Sequence, residues 1–463
     1  GVAGYNPLAK TVWEEGLRIP PIKLYRRGEY QNDIWDFILL NVKSRHLVEG
    51  DLHCQIGATS RGGESLTELL DRHGPATVAG AIESYLAATE KAMAAAIRKI
   101  PDGLYRGESY LDNDGIEMDK APGIRVAVKV EGDKLTFDFA GSDPQSKGFV
   151  NSPFANTASV CFQALFACIG AAIPINFGSL RPIQIVAPEG TIVHCRPPAP
   201  TTASTLVTCA AIAEAIWIAL AEAIPSQVQS GWGRRCAPMS AGTNPRTGRS
   251  FVCTHHNCKG GSGATEGYDG WNHTGPVSNM GGSRATDPEI FELAYPYRLF
   301  EYELAPDTGG AGKWRGGTGA VLRWRVETPD IQCVTVGSGM LEKTRAFGLF
   351  GGRPGSIPVM RVTGVDGRTR PLGLNQFSEI QEGDVFELFS QGGGGFGNPF
   401  ARPPERVRDD VVNGLVSMEK AAEDYGVALE RREREIVIDR DATAKMRAGK
   451  EEPVSVRRRG GSR

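Results

Sequence analysis

Two histidines, His255 and His256, stand between Cys253 and Cys258 in a Cys-x-His-His-x-Cys arrangement. Thiolate and imidazole are soft zinc ligands, but the spacing matches neither a Cys-x-x-Cys knuckle nor a His-x-x-x-His helix face. On an extended backbone Cys253 and His255 share a face and His256 points away, so no more than three of the four converge without a turn at Asn257. A second reading makes the segment a pocket wall. The run Gly260-Gly261-Ser262-Gly263 follows at once, and Asp269, Trp271 and His273 complete a glycine-rich span of 19 residues. Imidazoles would move protons near neutral pH, and an indole would stack on a planar substrate beside a carboxylate. A third reading leaves these histidines as packed structural residues.

A second constellation comprises Glu15, within Glu14-Glu15-Gly16-Leu17-Arg18, followed by Asn41, Asp51 and Gln55. Asp51 and Gln55 are four residues apart on an expected helix and face the same way. They would bind substrate with Glu15, or form an ordinary solvated face. The glycine-rich stretch 306–321 carries Lys313, Trp314 and Arg315 and reads as a shaped connection between two strands. It is no phosphate cradle: Asp307 stands where a P-loop needs glycine, and Trp314 where it needs Ser or Thr. Nucleophile elbow, zinc-protease and dinucleotide signatures are also missing, so the chain carries no self-contained catalytic motif.

The elements that must position these residues follow from composition. With 52 Lys+Arg against 54 Asp+Glu in 463 residues, there is no basic footprint for nucleic acid. The longest apolar run, 158–174, is interrupted by Gln163 and is too short for a membrane span of about 20 residues. Nine cysteines at irregular spacing, an odd number, suggest reduced thiols and a cytoplasmic protein. Gly1 is neither an initiator Met nor the start of a signal peptide, and the chain reads as a piece of something longer.

Up to Pro101 the pattern is helical, with Ile34, Phe37, Ile38 and Val42 on one face and Ile82, Tyr85, Leu86, Met93 and Ile97 on another, interrupted by Thr89. Segments 124–130 and 135–139 alternate around a turn and predict a hairpin. Helices are expected at 158–173 and 201–224, with a strand at 183–186. Glycine, 58 residues in all, concentrates after residue 230, where short strands are expected at 251–253, 321–326, 333–336 and 385–389. Gly414 should close one tail helix and Ser417 cap the next, before a disordered basic end. The expected fold class is α+β and multi-domain: a helical first segment at 1–115, a mixed region at 116–226, a glycine-rich, β-rich region at 227–400 and a helical tail at 401–463.

Read together, the motifs resemble the B subunit of the ATP-dependent hydantoinase group, which includes N-methylhydantoinase, the oxoprolinase B half, the caprolactamase B subunit, and subunits of acetone and acetophenone carboxylases. The resemblance covers residues 13–427: E-G-L-R-I-P-P (15–21), G-D-L-x-x-Q (50–55), D-F-A-G-S-D-P-Q (138–145), V-N-S-P (150–153), I-P-I-N-x-G through A-P-E-G (173–190), the 306–321 loop, G-G-R-P-G (351–355) and G-G-G-G-F-G-N-P-F (392–400), then N-G-L-V-S and D-Y-G-V. It implies that a partner A-type subunit binds ATP and phosphorylates a small-molecule amide or ketone, and that the B subunit completes hydrolysis or carboxylation within a larger hetero-oligomer. It also implies a divalent metal, with His and Asp ligands in a stretch preceding Glu15 that this chain does not carry. A subunit that only supports assembly is the competing expectation.

Overall fold

The computed structural model describes residues 4–450, apart from 171, 256, 257, 280, 281, 283 and 434. The tail end expected to be disordered therefore lies outside the described residues. After the small hairpin of β1 (Tyr25–Arg26) and β2 (Glu29–Tyr30) come three helices: α1 (Asn32–Leu40), α2 (Arg45–His73) and α3 (Pro75–Ile97). The helical expectation holds, but its faces need correction. Trp35, Ile38 and Leu39 are the buried side of α1, and Phe37 is exposed. In α3 the buried residues are Thr89, Met93 and Ile97, whereas Ile82 and Tyr85 face out. Thr89 tolerates burial because its hydroxyl donates to the Tyr85 carbonyl at 2.9 Å and accepts from Asn176 at 3.0 Å.

A first sheet, ordered β3-β4-β5-β6, contains β3 (Gly103–Tyr110), β4 (Gly123–Glu131), β5 (Lys134–Asp138) and β6 (Ile183–Val186). The expected hairpin is β4–β5, with Glu131 opposite Lys134, and β6 joins parallel to β5 after the crossover through α4 (Phe154–Ile169) and α5 (Phe177–Leu180). A π-helical stretch, Ser204–Thr208, leads into α6 (Cys209–Leu220), which packs on β3 and β4. Gly107 permits this contact, since a Cβ there would collide with the Ala215 carbonyl.

The second half holds two more sheets. One is ordered β14-β11-β7-β8, from β7 (Cys236–Asn244), β8 (Arg249–Cys253), β11 (Ile331–Gly337) and β14 (Gln376–Ser378). The other is ordered β13-β12-β15-β10-β9, from β9 (Tyr297–Leu304), β10 (Ala320–Val326), β12 (Val359–Thr363), β13 (Thr369–Pro371) and β15 (Val385–Phe389), preceded by α7 (Pro288–Ala294). The tail is α8 (Pro404–Val412), α9 (Met418–Tyr425), the hairpin β16 (Leu429–Arg432)–β17 (Glu435–Ile438), and α10 (Arg440–Arg447). Ser417 caps α9 through the Lys420 N–H at 3.1 Å. The observed class is thus the mixed α+β one expected, helical at both ends.

The 306–321 connection does join two paired strands, β9 and β10. It also belongs to a glycine interior in which backbone packs on backbone. The Gly310 N–H donates to Gly393 at 2.8 Å, Gly316 to Gly310 at 2.9 Å, Gly317 to Ser262 at 2.9 Å and Gly393 to Gly317 at 2.9 Å. These amides are committed internally, which removes them as phosphate donors. A Cβ at Gly316 or Gly317 would strike the Gly393 or Trp271 carbonyl.

Candidate functional site

The chemistry-bearing segment leaves β8 with Cys253 paired opposite Ser240 on β7. Two residues later the backbone enters the left-handed region at His255 (φ 44°), and the ring turns into the second-half core, 3% exposed. It stacks on Trp324 at 4.8 Å and tilts against Tyr297 at 5.1 Å, with Nε2 2.9 Å from Ser240 Oγ. His256 lies outside the described residues. Cys258 follows, its N–H donating to the His255 carbonyl at 3.0 Å. Burial pushes the Cys253 thiol up to about 12 and the Cys258 thiol well above its usual value, so both rest protonated at neutral pH. Among the described residues no three His, Cys, Asp or Glu side chains converge as a metal site. The described residues thus gather no donor set for the implied metal.

From Ser262 to Trp271 the chain closes on itself: the Ser262 N–H donates to the Trp271 carbonyl at 2.9 Å, and the Trp271 N–H donates to Ser262 Oγ at 2.7 Å. Asp269 is turned inward. Its carboxylate accepts two hydrogen bonds from Arg402, at 2.6 and 2.8 Å, and the Arg315 N–H at 2.7 Å. Arg402, 1% exposed, also donates twice to Asp410 at 3.1 and 2.8 Å, and Asp410 accepts from Arg315 Nε at 3.4 Å. Burial opposes ionisation of Asp269, but Arg402 and Arg315 outweigh it and hold the carboxyl below its ordinary range. Asp269 therefore ties the glycine interior to α8.

Trp271 projects outward, 62% exposed. His273 is half-buried and also left-handed (φ 46°); its N–H donates to the Thr318 carbonyl at 2.7 Å. Its Nδ1 lies 3.4 Å from the Tyr302 hydroxyl, the rings meeting edge to face at 5.3 Å. Burial raises the Tyr302 hydroxyl above its ordinary value, so the phenol stays protonated and can donate. The segment thus distributes its residues: His255 to the core, Asp269 to an ion-pair network, and Trp271 and His273 to the accessible side.

Glu15 lies elsewhere, accepting the N–H groups of Thr201 (2.8 and 2.9 Å) and Thr202 (2.7 Å), which fastens the first segment to the turn before α6. Asp51 and Gln55 are exposed on α2, a 29-residue helix with no buried residue. No hydrogen bond or ion pair among the described residues joins these three to residues 253–273. A cleft of about 540 Å³ on the first sheet, lined by Arg106, Glu108, Arg125 and Asp138, includes none of the segment either.

One buried pair escaped sequence reasoning. Glu214 in α6 faces Arg234, whose Nε is 3.3 Å from Glu214 Oε1, and whose Nη2 and Nη1 donate to Ser109 at 2.6 Å and Ser338 at 2.9 Å. The signal was available, since Glu214 is the single charge in an otherwise apolar α6 and Arg234-Arg235 is a double cation before a buried strand.

The glycine interior, the outer helices and the order of sheets can now be set beside known proteins. The hydantoinase B/oxoprolinase family model matches residues 1–399. This chain belongs to that family. The beta subunit of caprolactamase from Pseudomonas jessenii is 33% identical over 437 residues, covering 92% of this chain and 74% of that one. The crystal structure of ATP-dependent caprolactamase from the same organism superposes with a TM-score of 0.86 at 33% identity, covering 96% of this chain and 77% of that chain. Nucleotide-free acetone carboxylase shares the fold, with a TM-score of 0.82 at 20% identity and coverage of 95% and 64%. The caprolactamase so matched is an ATP-dependent enzyme.

Proposed function

We propose that this chain is the B-type subunit of an ATP-dependent complex that opens a cyclic amide after a partner A-type subunit has phosphorylated it. The supporting observation is the likeness to caprolactamase along 96% of the chain. In this reading the amide oxygen takes the γ-phosphoryl group of ATP on the partner and ADP departs. Water adds to the activated carbon on the B subunit, and the C–N bond breaks as the nitrogen gains a proton. A second water attacks the carbonyl carbon of the resulting acyl phosphate, the C–O bond breaks, and phosphate leaves carrying the former amide oxygen.

His273, beside the Tyr302 hydroxyl, is the group proposed to deliver that proton, and Trp271 the wall against which a planar ring rests. His255 and Asp269 position this segment, the first by filling the core and the second by holding Arg402. Glu15, Asp51 and Gln55 are proposed to act through assembly or at a surface completed by another chain. A cytoplasmic location is part of the proposal, supported by nine cysteines that are all free thiols. Ketone carboxylation is the alternative chemistry, supported by the fold shared with acetone carboxylase.

The test uses the assembled complex and a lactam labelled with ¹⁸O in its carbonyl. The label is expected in inorganic phosphate; label retained wholly in the carboxylate would overturn the phosphorylation sequence.

A further inference from the structure

Arg234 and Arg235 are adjacent, both buried, and differently provided for. Arg234 has Glu214. Arg235, 6% exposed, forms no ion pair among the described residues. Its Nη2 donates to the Thr254 carbonyl, and its Nε is fully buried without a hydrogen-bond partner. The groups that act on its charge are Cys258, Tyr5, Cys236 and Cys253, three thiols and a phenol, and burial drives each towards its neutral form. Burying an ionised group without a counter-charge is strongly unfavourable, and a guanidinium does not escape by losing its proton. An arginine kept in this state calls for an anion that the described residues do not supply.

Its position says where that anion would come from. Arg235 stands immediately before β7 and reaches the Thr254 carbonyl, next to His255 and the start of the 253–273 segment. Cys258, whose N–H is bonded to the His255 carbonyl, lies four residues on from Thr254. The guanidinium is therefore held at the start of the segment through the Thr254 carbonyl, and His273 with Tyr302 stands at its other end.

We propose that Arg235 is the anchor of an oxyanion-binding site, a fork that receives a phosphoryl or carboxylate group. The guanidinium matches two oxygens of either group through parallel N–H donors, which an ammonium does not. Within the function proposed above, on which this role rests, the oxyanion is the phosphoryl group of the activated substrate or the carboxylate released from it. The site itself stands without that role, because the charge is unmatched among the described residues whatever the reaction.

Arg235→Met keeps the volume and apolar stem and removes the charge; Arg235→Lys keeps the charge and removes the fork. Inorganic phosphate and, separately, acetate are titrated against the full chain by calorimetry and by melting temperature. Wild type should bind one of them saturably and melt higher in its presence, with phosphate alone pointing to the activated substrate and acetate alone to the product. In Arg235→Met that binding should weaken by roughly 100-fold, with Arg235→Lys restoring it only in part. Without added anion, Arg235→Met should melt no lower than wild type, because it discards an unmatched buried charge. Equal anion response in wild type and Arg235→Met, or an Arg235→Met protein that melts well below wild type without anion, overturns the site. The ¹⁸O experiment separates the two ideas: label in phosphate with no anion response at Arg235 discards this site alone, and anion response with no label in phosphate discards only its assigned role.

Discussion

Asp269→Asn offers a direct separation of a structural carboxylate from a substrate contact. In the wild type two acids, Asp269 and Asp410, face two guanidiniums, Arg402 and Arg315, so charge is balanced inside the protein. Asparagine preserves the shape but leaves three charges, with Arg402 facing a neutral amide. Removing one partner of a fully buried pair costs about 3–5 kcal/mol. The Asp269 side chain is 28% exposed and water screens part of the loss, which reduces the expectation to about 2–3 kcal/mol. Because Asp410 sits in α8, the first consequence should be local, a loss of hydrogen-exchange protection in α8 and α9 ahead of global unfolding. The Asp269 carboxyl is held below its ordinary range, so its stabilising contribution is complete above the unfolded value of about 3.9 and fades as pH falls through the lower folded value. Urea denaturation of wild type and Asp269→Asn should differ fully at pH 7 and converge below pH 4. Turnover in the assembled complex should fall no further than the folded fraction. A variant with unchanged urea midpoint, unchanged exchange and turnover lowered about 100-fold would refute this reasoning and return Asp269 to the substrate.

His273→Ala should lower turnover by roughly 10²-fold with the melting temperature retained, and Tyr302→Phe should change the pH profile in the same enzyme; wild-type kinetics in His273→Ala ends its proposed role. Gly317→Ala places a methyl group on the Trp271 carbonyl and should destabilise by about 3 kcal/mol or prevent folding, read from expression and denaturant midpoint. Gly57→Ala, on exposed α2 with nothing near the new Cβ, should instead stabilise the isolated chain by up to about 1 kcal/mol, and a loss of co-purification with partner subunits would mark α2 as an assembly surface. Glu214→Gln strands Arg234 and should cost about 3–5 kcal/mol in the same unfolding assay.

Local patterns were legible where one element could be read alone. The β4–β5 hairpin, β6, β15 and the Ser417 cap follow from alternation and turn chemistry in a few consecutive residues. β7 was not legible, because Cys236, Ala237, Met239 and Ala241 are buried beside buried Pro238 and Ser240, leaving no alternation to read. The exposed apolar side of α3 misled for a related reason, since apolar residues at helical spacing mark a face without telling whether this chain or another covers it. Within the candidate site, sequence proximity put Asp269, His255 and His273 into one cleft. Their fates were decided by Arg402, Trp324 and Tyr302, residues 133, 69 and 29 positions away, which no local pattern reports.

The 253–273 segment also concentrates backbone strain. His255 and His273 are two of the seven described non-glycine residues with positive φ, and they flank a glycine run whose own packing leaves no room for a Cβ. Each such residue costs on the order of 1 kcal/mol and persists only when its surroundings dictate it. His255 has that support from Trp324, Tyr297 and Ser240, and Asp269 from Arg402 and Arg315. Both supports lie on the inner side of the segment. His273 and Trp271 are then held at the accessible side by a backbone that cannot relax, bonded through Thr318 and Ser262 to the glycine interior. The two anchors differ in where their loss is felt. Asp269 is tied to α8, so loosening it reaches the tail first and leaves the Thr318 and Ser262 bonds in place. His255 supports the strained start of the segment itself, so loosening it should displace the His273 imidazole from Tyr302 before it unfolds the protein, and activity should respond to that anchor more steeply than stability does.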